Sequence, residues 1–343
     1  MGKKIIGFLL VIGLMIGTSG CTSSSDKEPL TRTDIVMGTP VTISIYEGGS
    51  EDILQKSFDK VSQIESLLSI NKSGTEIDKL NENAGIKKIK LSETSYKIIK
   101  RAVKYSHLSD GGYDISVGPL VKLWSIGLPE AKVPTQKEID EVIKLVDYNN
   151  IELNDSTQEV YLNKKGMILD LGSIAKGYAA DEVASLLKKE GVTRAIVNLG
   201  GNIYAVGSKN DNEDWNVGIQ NPFSDRGEVV GTIHISNKSI VTSGIYERFI
   251  EKDGKKYHHI LNPKTGYPFE TEIAGVSIIS KESIDCDALS TLVFTKGLDE
   301  GLKFVEGIKD VDAVFVTKDK KVYITNGIKD NFKITNKEFI LSN

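Results

Sequence analysis

The run Asp170-Leu171-Gly172-Ser173-Ile174-Ala175-Lys176 sets a carboxylate, two small residues and a lysine close together. An apolar stretch, Met167-Ile168-Leu169, precedes it and a helical pattern follows. The order is that of a strand, a small-residue turn and a helix N-terminus. Backbone N–H groups at such a helix start, with an ammonium in the first turn, suit a pyrophosphate. The Gly-rich P-loop pattern and the dinucleotide GxGxxG spacing are both absent. Asp170 repels phosphate and suits instead an acceptor role toward a sugar hydroxyl or a base edge. Taken alone, the same residues describe equally well a strand end capped by Asp, followed by a solvated Lys.

Three further stretches carry chemistry-bearing side chains. In Asp285-Cys286-Asp287-Ala288-Leu289-Ser290-Thr291, Asp287 and Thr291 stand four apart and share one helix face. A carboxylate and a hydroxyl so placed can supply oxygen ligands to Mg²⁺, although an Asp-rich first helical turn is also ordinary capping. His258 and His259 precede a turn built on Asn262, Pro263 and Gly266. On a strand they face opposite sides, so one of them faces any site there. Gly111 to Trp124 combines glycines, Tyr113, Asp114 and an apolar turn that could wall a flat ligand.

The elements that must position these residues read as follows. Helices are expected over 50–68, 92–107, 134–146 and 174–190, and over 283–304 with a break at Gly297. Thr135 and Glu138 form a capping box for the third. Strands are expected in "VTISIY", "GMILDLG", "RAIVNLGGNIYAVG", "WNVGIQNP" and "IAGVSIIS". "IELND" with "EVYLN", and "DAVFVT" with "KKVYIT", read as hairpins. "GEVVGTIHISNKSIVTSG" and "RFIEKDGKKYHHILNP" read as a strand meander with a tight turn at Asp253-Gly254. Irregular alternation with antiparallel neighbours favours α+β over a doubly wound parallel sheet.

Composition sets the frame. The chain has 343 residues, 39% hydrophobic and 26% charged, enough for a large core. Its 43 basic and 47 acidic side chains are interspersed and give a net charge of −4, which does not support a nucleic-acid footprint. Lys3 and Lys4 precede an apolar stretch, Ile5 to Ile16, too short to span a bilayer. It ends in Thr18-Ser19-Gly20-Cys21, similar to a lipobox with Thr where Leu is usual. Residues 1–20 are therefore expected to be a signal peptide, 21–30 a flexible tether and 31–343 the folded part. Cys286 is the only other cysteine, so lipidation of Cys21 would leave no intramolecular disulfide. Cys286 is expected to be a packing residue.

Taken together, several stretches occur in the order found in one family. They are Met37-Gly38-Thr39, Gly112-Tyr113-Asp114-Ile115-Ser116-Val117-Gly118-Pro119-Leu120, Leu169 to Tyr178, Asn198-Leu199-Gly200-Gly201-Asn202, Thr242-Ser243-Gly244, His259-Ile260-Leu261-Asn262-Pro263 and Asp287 to Thr291. Over nearly the whole mature chain the sequence resembles the ApbE family of FAD:protein FMN transferases. The resemblance implies an ApbE-like α+β fold, with mixed, largely antiparallel sheets flanked by helices. It implies FAD as substrate, Mg²⁺ as cofactor, and transfer of FMN to a Thr or Ser hydroxyl of an acceptor protein with release of AMP. Met37 would pack against the flavin nucleotide, and Gly112, Tyr113 and Asp114 would line its pocket. Asp170 would accept from the adenosine part, and Lys176 and Leu261 also map to the FAD site. Asp287, Thr291 and the Ser173 carbonyl would hold Mg²⁺, and His259 is the candidate base or phosphate partner. Asn71 falls where the family carries an aromatic residue or Asn; Asn there could admit water, and some members hydrolyse FAD to FMN and AMP. A flavin-capturing lipoprotein without catalysis is the further alternative. Many members are exported lipoproteins, which agrees with Cys21 and implies a membrane-anchored, extracytoplasmic enzyme serving electron transfer.

Overall fold

The computed structural model describes residues 28–342; Cys21, the signal segment and most of the tether lie outside them. The expected α+β class is found. A nine-stranded sheet runs through the molecule, and its strands lie side by side in chain order: Leu30–Val36, Thr39–Glu47, Arg194–Leu199, Asn202–Val206, Lys238–Gly244, Ile273–Ser280, Asp312–Thr317, Lys321–Ile324 and Ile340–Leu341. Every neighbouring pair is antiparallel except the last, which is parallel.

The helices are α1 (Glu51–Leu68), α2 (Glu76–Glu82), α3 (Glu93–Leu108), α4 (Gly118–Trp124), α5 (Gln136–Val142), α6 (Ala175–Lys189), α7 (Ser283–Lys296) and α8 (Leu298–Glu306). Their starts follow from sequence. Ser50, Ser92 and Thr135 cap α1, α3 and α5 by accepting from Ile53, Ser95 and Glu138 backbone N–H groups, and the Thr135–Glu138 capping box is complete. The helix expected to reach residue 146 ends at Val142 and tightens into a 3₁₀ turn, Ile143–Leu145. The break at Gly297 separates α7 from α8 as expected.

Both sheet faces are covered, which explains the continuous burial of Ile273–Ser280. Val276 and Ile278 face the helix side, in one core with Phe58, Val61, Val183 and Phe294. Ile279 points the other way, onto a three-stranded sheet of Trp215–Gln220, Val229–Ile235 and Phe332–Ile334. The side-chain period of two thus feeds two cores from one strand. A third cluster, Leu120, Trp124, Ile139 and Leu261, joins α4 and α5 to the loop after the histidines.

Several expectations are corrected. Val229–Ile235 and Lys238–Gly244 do not continue one meander; they enter different sheets, because the short Ser236-Asn237 link carries the chain from one layer to the next. The second hairpin, turning at Asp253-Gly254, forms as expected. Within "GMILDLG", Met167, Leu169 and Leu171 are buried, but the stretch is not a ladder strand; its one pairing is an isolated parallel bridge from Ile168 to Val117. The Leu169 N–H and C=O bond the Asn81 side chain at 2.8 and 3.1 Å, and Asp170 N–H donates to Ile115 O at 2.8 Å. Strand Leu30–Val36 begins one residue inside the expected tether. Cys286 is fully buried against Ser239 and Ser280, and burial pushes its thiol up to about 12, as befits a packing residue.

Candidate functional site

Helices α6 and α7 cross at Gly177, and this crossing positions the central charges. A Cβ on Gly177 would meet Ser283 O at 2.3 Å and Asp287 Cβ at 2.8 Å, so only glycine permits the approach. Asp181, one turn on, clamps α7 by accepting from Ser283 and Ile284 N–H groups, each at 2.8 Å. Asp287 is consequently held at the first turn of α6. It is 4% exposed; its Oδ2 accepts from Gly177 N–H at 2.9 Å and its Oδ1 faces Lys176 Nζ at 3.4 Å. Lys176 also donates to Gly172 O at 3.0 Å. Thr291 lies one turn along α7, with its hydroxyl 3.3 Å from that of Ser243, which also meets Ser290 at 2.8 Å.

Asp170 sits across the turn. Its Oδ1 accepts from Gly172 N–H at 2.7 Å, and burial raises its pKa against that bond and the charges of Lys176 and Arg248. Tyr113 is 2% exposed and lies beside Ser173, Asp170 and Asp287; its hydroxyl has no hydrogen-bond partner among the described residues. A buried donor left open beside carboxylates marks a place for a ligand oxygen. Asp114 is turned inward: its carboxylate accepts from the Ser116 N–H and hydroxyl, both at 2.7 Å, and from Tyr148 N–H at 3.0 Å. It shapes the turn that presents Gly112 and Tyr113.

The two histidines divide as their alternation requires. His258 is buried and structural, with Nε2 on Phe269 O at 2.8 Å and Nδ1 accepting from Ile260 N–H at 3.3 Å. His259 Nδ1 lies 3.3 Å from Arg248 O, so Nδ1 carries the proton and the Nε2 lone pair is free. Burial, then the adjoining His258 and Arg248, holds its pKa down to about 4. The folded state therefore binds fewer protons than the unfolded chain between pH 4 and 6.5. The stability owed to neutral His259 is present above pH 6.5 and lost as pH falls toward 4. Thermal unfolding should show a smaller loss of Tm on acidification for His259→Gln than for wild type; equal pH dependence would remove His259 from that role.

Met37 forms the tip of the first hairpin with a backbone φ of 54°, a costly conformation for a residue with a side chain. It is pinned: Met37 N–H donates to Glu65 Oε1 at 2.9 Å, and Arg248 reaches Gly38 O at 3.2 Å. Glu65 Oε2 takes Lys72 at 2.6 Å, which ties in the exposed Asn71 loop. Leu261 is 7% exposed, its side chain in the Trp124 cluster, so what it offers a ligand is main chain.

Contacts thus join the Met37 tip to the Asn71 loop and, through Arg248, to His259; Asp170, Ser173, Lys176, Tyr113, Asp287 and Thr291 form the adjoining group. Glu65 and Arg248 escaped the sequence reading. Arg248 follows the Thr242-Ser243-Gly244 motif closely, but nothing in its type or spacing distinguishes it from a solvated arginine. The donor set of Asp287, Thr291 and Ser173 is all oxygen with one buried carboxylate, which fits a hard divalent cation.

The ApbE family model matches residues 37–315. An FAD:protein FMN transferase of Klebsiella pneumoniae (strain 342) is 35% identical over 302 residues, covering 88% of this chain and 93% of that protein. One of Treponema pallidum (strain Nichols) is 33% identical over 353 residues, covering 98% and 97%. The crystal structure of the ApbE protein from Thermotoga maritima superposes with a TM-score of 0.81 at 29% identity, covering 89% of this chain and 99% of that one. Flavin transferase ApbE from Vibrio cholerae gives 0.79 at 25% identity, with the same coverage.

Proposed function

The chain belongs to the ApbE family, and from that premise we propose that it is an FAD:protein FMN transferase acting on a Thr or Ser hydroxyl of an acceptor protein. The observation that carries the reading is the buried Asp287 set against Lys176 at the start of α6, beside the open hydroxyl of Tyr113. Lys176 and the α6 N-terminus favour the negative pyrophosphate. Asp170 would accept from a hydroxyl or amino group of the adenosine part. The hydroxyl oxygen of the acceptor bonds to the FMN phosphorus, the bond to the AMP oxygen breaks, and AMP leaves with the electron pair. The acceptor's proton passes to His259 Nε2 or to solvent; positioning and charge contribute most to such transfers. Asp287, Thr291 and the Ser173 carbonyl would hold Mg²⁺, which supplies Lewis-acid polarisation of the pyrophosphate when bound.

Incubation with FAD, Mg²⁺ and a membrane extract tests the reading. AMP together with a covalently flavinylated protein is the expected result. AMP with free FMN alone would make the protein a pyrophosphatase, and neither product would leave a flavin-binding protein. Asn71 is exposed, in the loop that Lys72 ties through Glu65 to the Met37 tip; if it lets water reach the phosphate, acceptor-free AMP release is the measure of that leak.

Residues 1–27 carry the second part of the proposal: lipidation of Cys21 anchors the enzyme to the extracytoplasmic side of a membrane, near acceptors in electron transfer. No helix among the described residues is long and apolar enough to cross a membrane, so Cys21→Ala should shift the protein to the soluble fraction with its activity kept. Retention of that variant in salt-washed membranes would refute lipid anchoring.

A further inference from the structure

The first turn of α7 carries a second acid that the metal set leaves out. Asp285 stands two residues before Asp287 and, at 3.6 residues per turn, about 200° from it around the helix. It meets α3. Arg101 grips it with two arms of its guanidinium: Nε donates to Oδ1 at 2.8 Å and Nη2 to Oδ2 at 2.6 Å. The same Nη2 reaches Glu282 at 2.7 Å, and the Tyr105 hydroxyl donates to Asp285 Oδ1. Tyr105 also stands edge-on to Tyr113, with ring centroids 6.4 Å apart and planes at 74°. Arg101 and Tyr105, one turn apart on α3, thus hold α7 on the side away from its contacts with Lys176 and Gly177.

Little within α7 itself fixes its rotation. Glu282 at its N-cap makes no side-chain capping bond. Residues Cys286 to Ser290 are all buried, more than one full turn, so no single apolar stripe decides which face meets the core. Asp181 holds the Ser283 and Ile284 N–H groups. Those groups point along the helix axis, so that clamp sets the height of α7 more than its rotation. A bidentate guanidinium–carboxylate pair is planar and directional. Asp285 carries it off the axis, where it acts as a lever.

We propose that Arg101 is a positioning residue: its fork on Asp285 sets the rotation of α7, and with it the direction in which Asp287 and Thr291 enter the site. The inference rests on the Mg²⁺ reading above. The Asp-rich start of α7 therefore divides its work, Asp287 serving the site and Asp285 the bearing that aims it. Tyr105 extends the same support to Tyr113, whose open hydroxyl lies beside Asp287.

The test compares wild type, Arg101→Ala, Arg101→Lys and a control, Lys97→Ala, which removes an exposed α3 partner of Glu93. Mg²⁺ is first added to each protein without FAD, and the rise in Tm is followed. The half-saturating Mg²⁺ concentration for AMP release is then measured at saturating FAD. Arg101→Ala should raise that concentration roughly 10- to 100-fold, the range for partners that orient metal ligands. It should also lose most of the Mg²⁺-dependent rise in Tm. Arg101→Lys keeps the charge and loses the fork, so it should recover only part of both, and Lys97→Ala should match wild type. A lowered Tm in Arg101→Ala with a wild-type response to Mg²⁺ would overturn the proposal and leave Arg101 a tie between helices. Full recovery by Arg101→Lys would overturn it too, and that variant decides alone if Arg101→Ala does not fold. Wild type whose Tm and AMP release ignore Mg²⁺ would overturn the metal reading as well, an outcome visible without any variant.

Discussion

Asp287→Ala is expected to lower flavin transfer by at least roughly 100- to 1,000-fold, the range for loss of one pre-organised group that stabilises a transition state. Three effects combine. The only carboxylate in the proposed metal set disappears. Lys176 loses its anionic neighbour at 3.4 Å, and Gly177 N–H loses the acceptor that fixes the first turn of α6. Asp287→Asn separates these effects, because an amide oxygen still accepts from Gly177 N–H while the charge is gone. Asn should therefore fold with near-wild-type Tm yet transfer flavin about as poorly as Ala. If Asp287→Asn kept full activity at limiting Mg²⁺, the charge of Asp287 would have no part in the reaction.

Gly177→Ala is the second large effect, and propensity alone gets its sign wrong. In an isolated helix, Gly→Ala stabilises by about 1 kcal/mol. Here the added Cβ would lie 2.3 Å from Ser283 O and 2.7 Å from Ile284 Cα, both backbone atoms. The N-terminus of α7 cannot slide away, because Asp181 holds the Ser283 and Ile284 N–H groups. Overpacking of this kind costs about 1–3 kcal/mol or more, and the helix that must move carries Asp287 and Thr291. Both Tm and kcat should fall, with kcat falling beyond what any unfolded fraction explains. Wild-type values of both would mean that the α6–α7 crossing does not set the geometry of the site.

What could be read in the sequence was local. Ser50, Ser92 and Thr135 announced their helices because a cap and its partner lie within one turn. Asp253-Gly254 announced its hairpin for the same reason. The residues brought together at α6 and α7 were visible as motifs, but their meeting at Gly177 joins segments far apart in the chain. Apolar periodicity made "GMILDLG" look like a strand; its backbone bonds go to the Asn81 side chain and to Ile115, partners that no local pattern encodes. Likewise Val229–Ile235 and Lys238–Gly244 share a strand pattern, and only layer packing assigns them to different sheets. Glu65 and Arg248 were invisible because their importance lies in contacting the Met37 tip, across the fold from their own elements.

The chain-order sheet also constrains how the molecule assembles. From Arg194 onward, each strand of the large sheet pairs with the strand before it, so that half can zip up by successive additions of modest loop-closure entropy. The first hairpin cannot join in this way. Thr39–Glu47 finds Arg194–Leu199 only after residues 48–193 have been looped out, an entropic barrier that grows with the logarithm of the loop. That same docking brings the Met37 tip to Arg248. The docking of the first hairpin and the meeting of the Met37 tip with Arg248 are therefore one event, and a ligand that bridges the tip and α6 stabilises the protein against reopening at that seam.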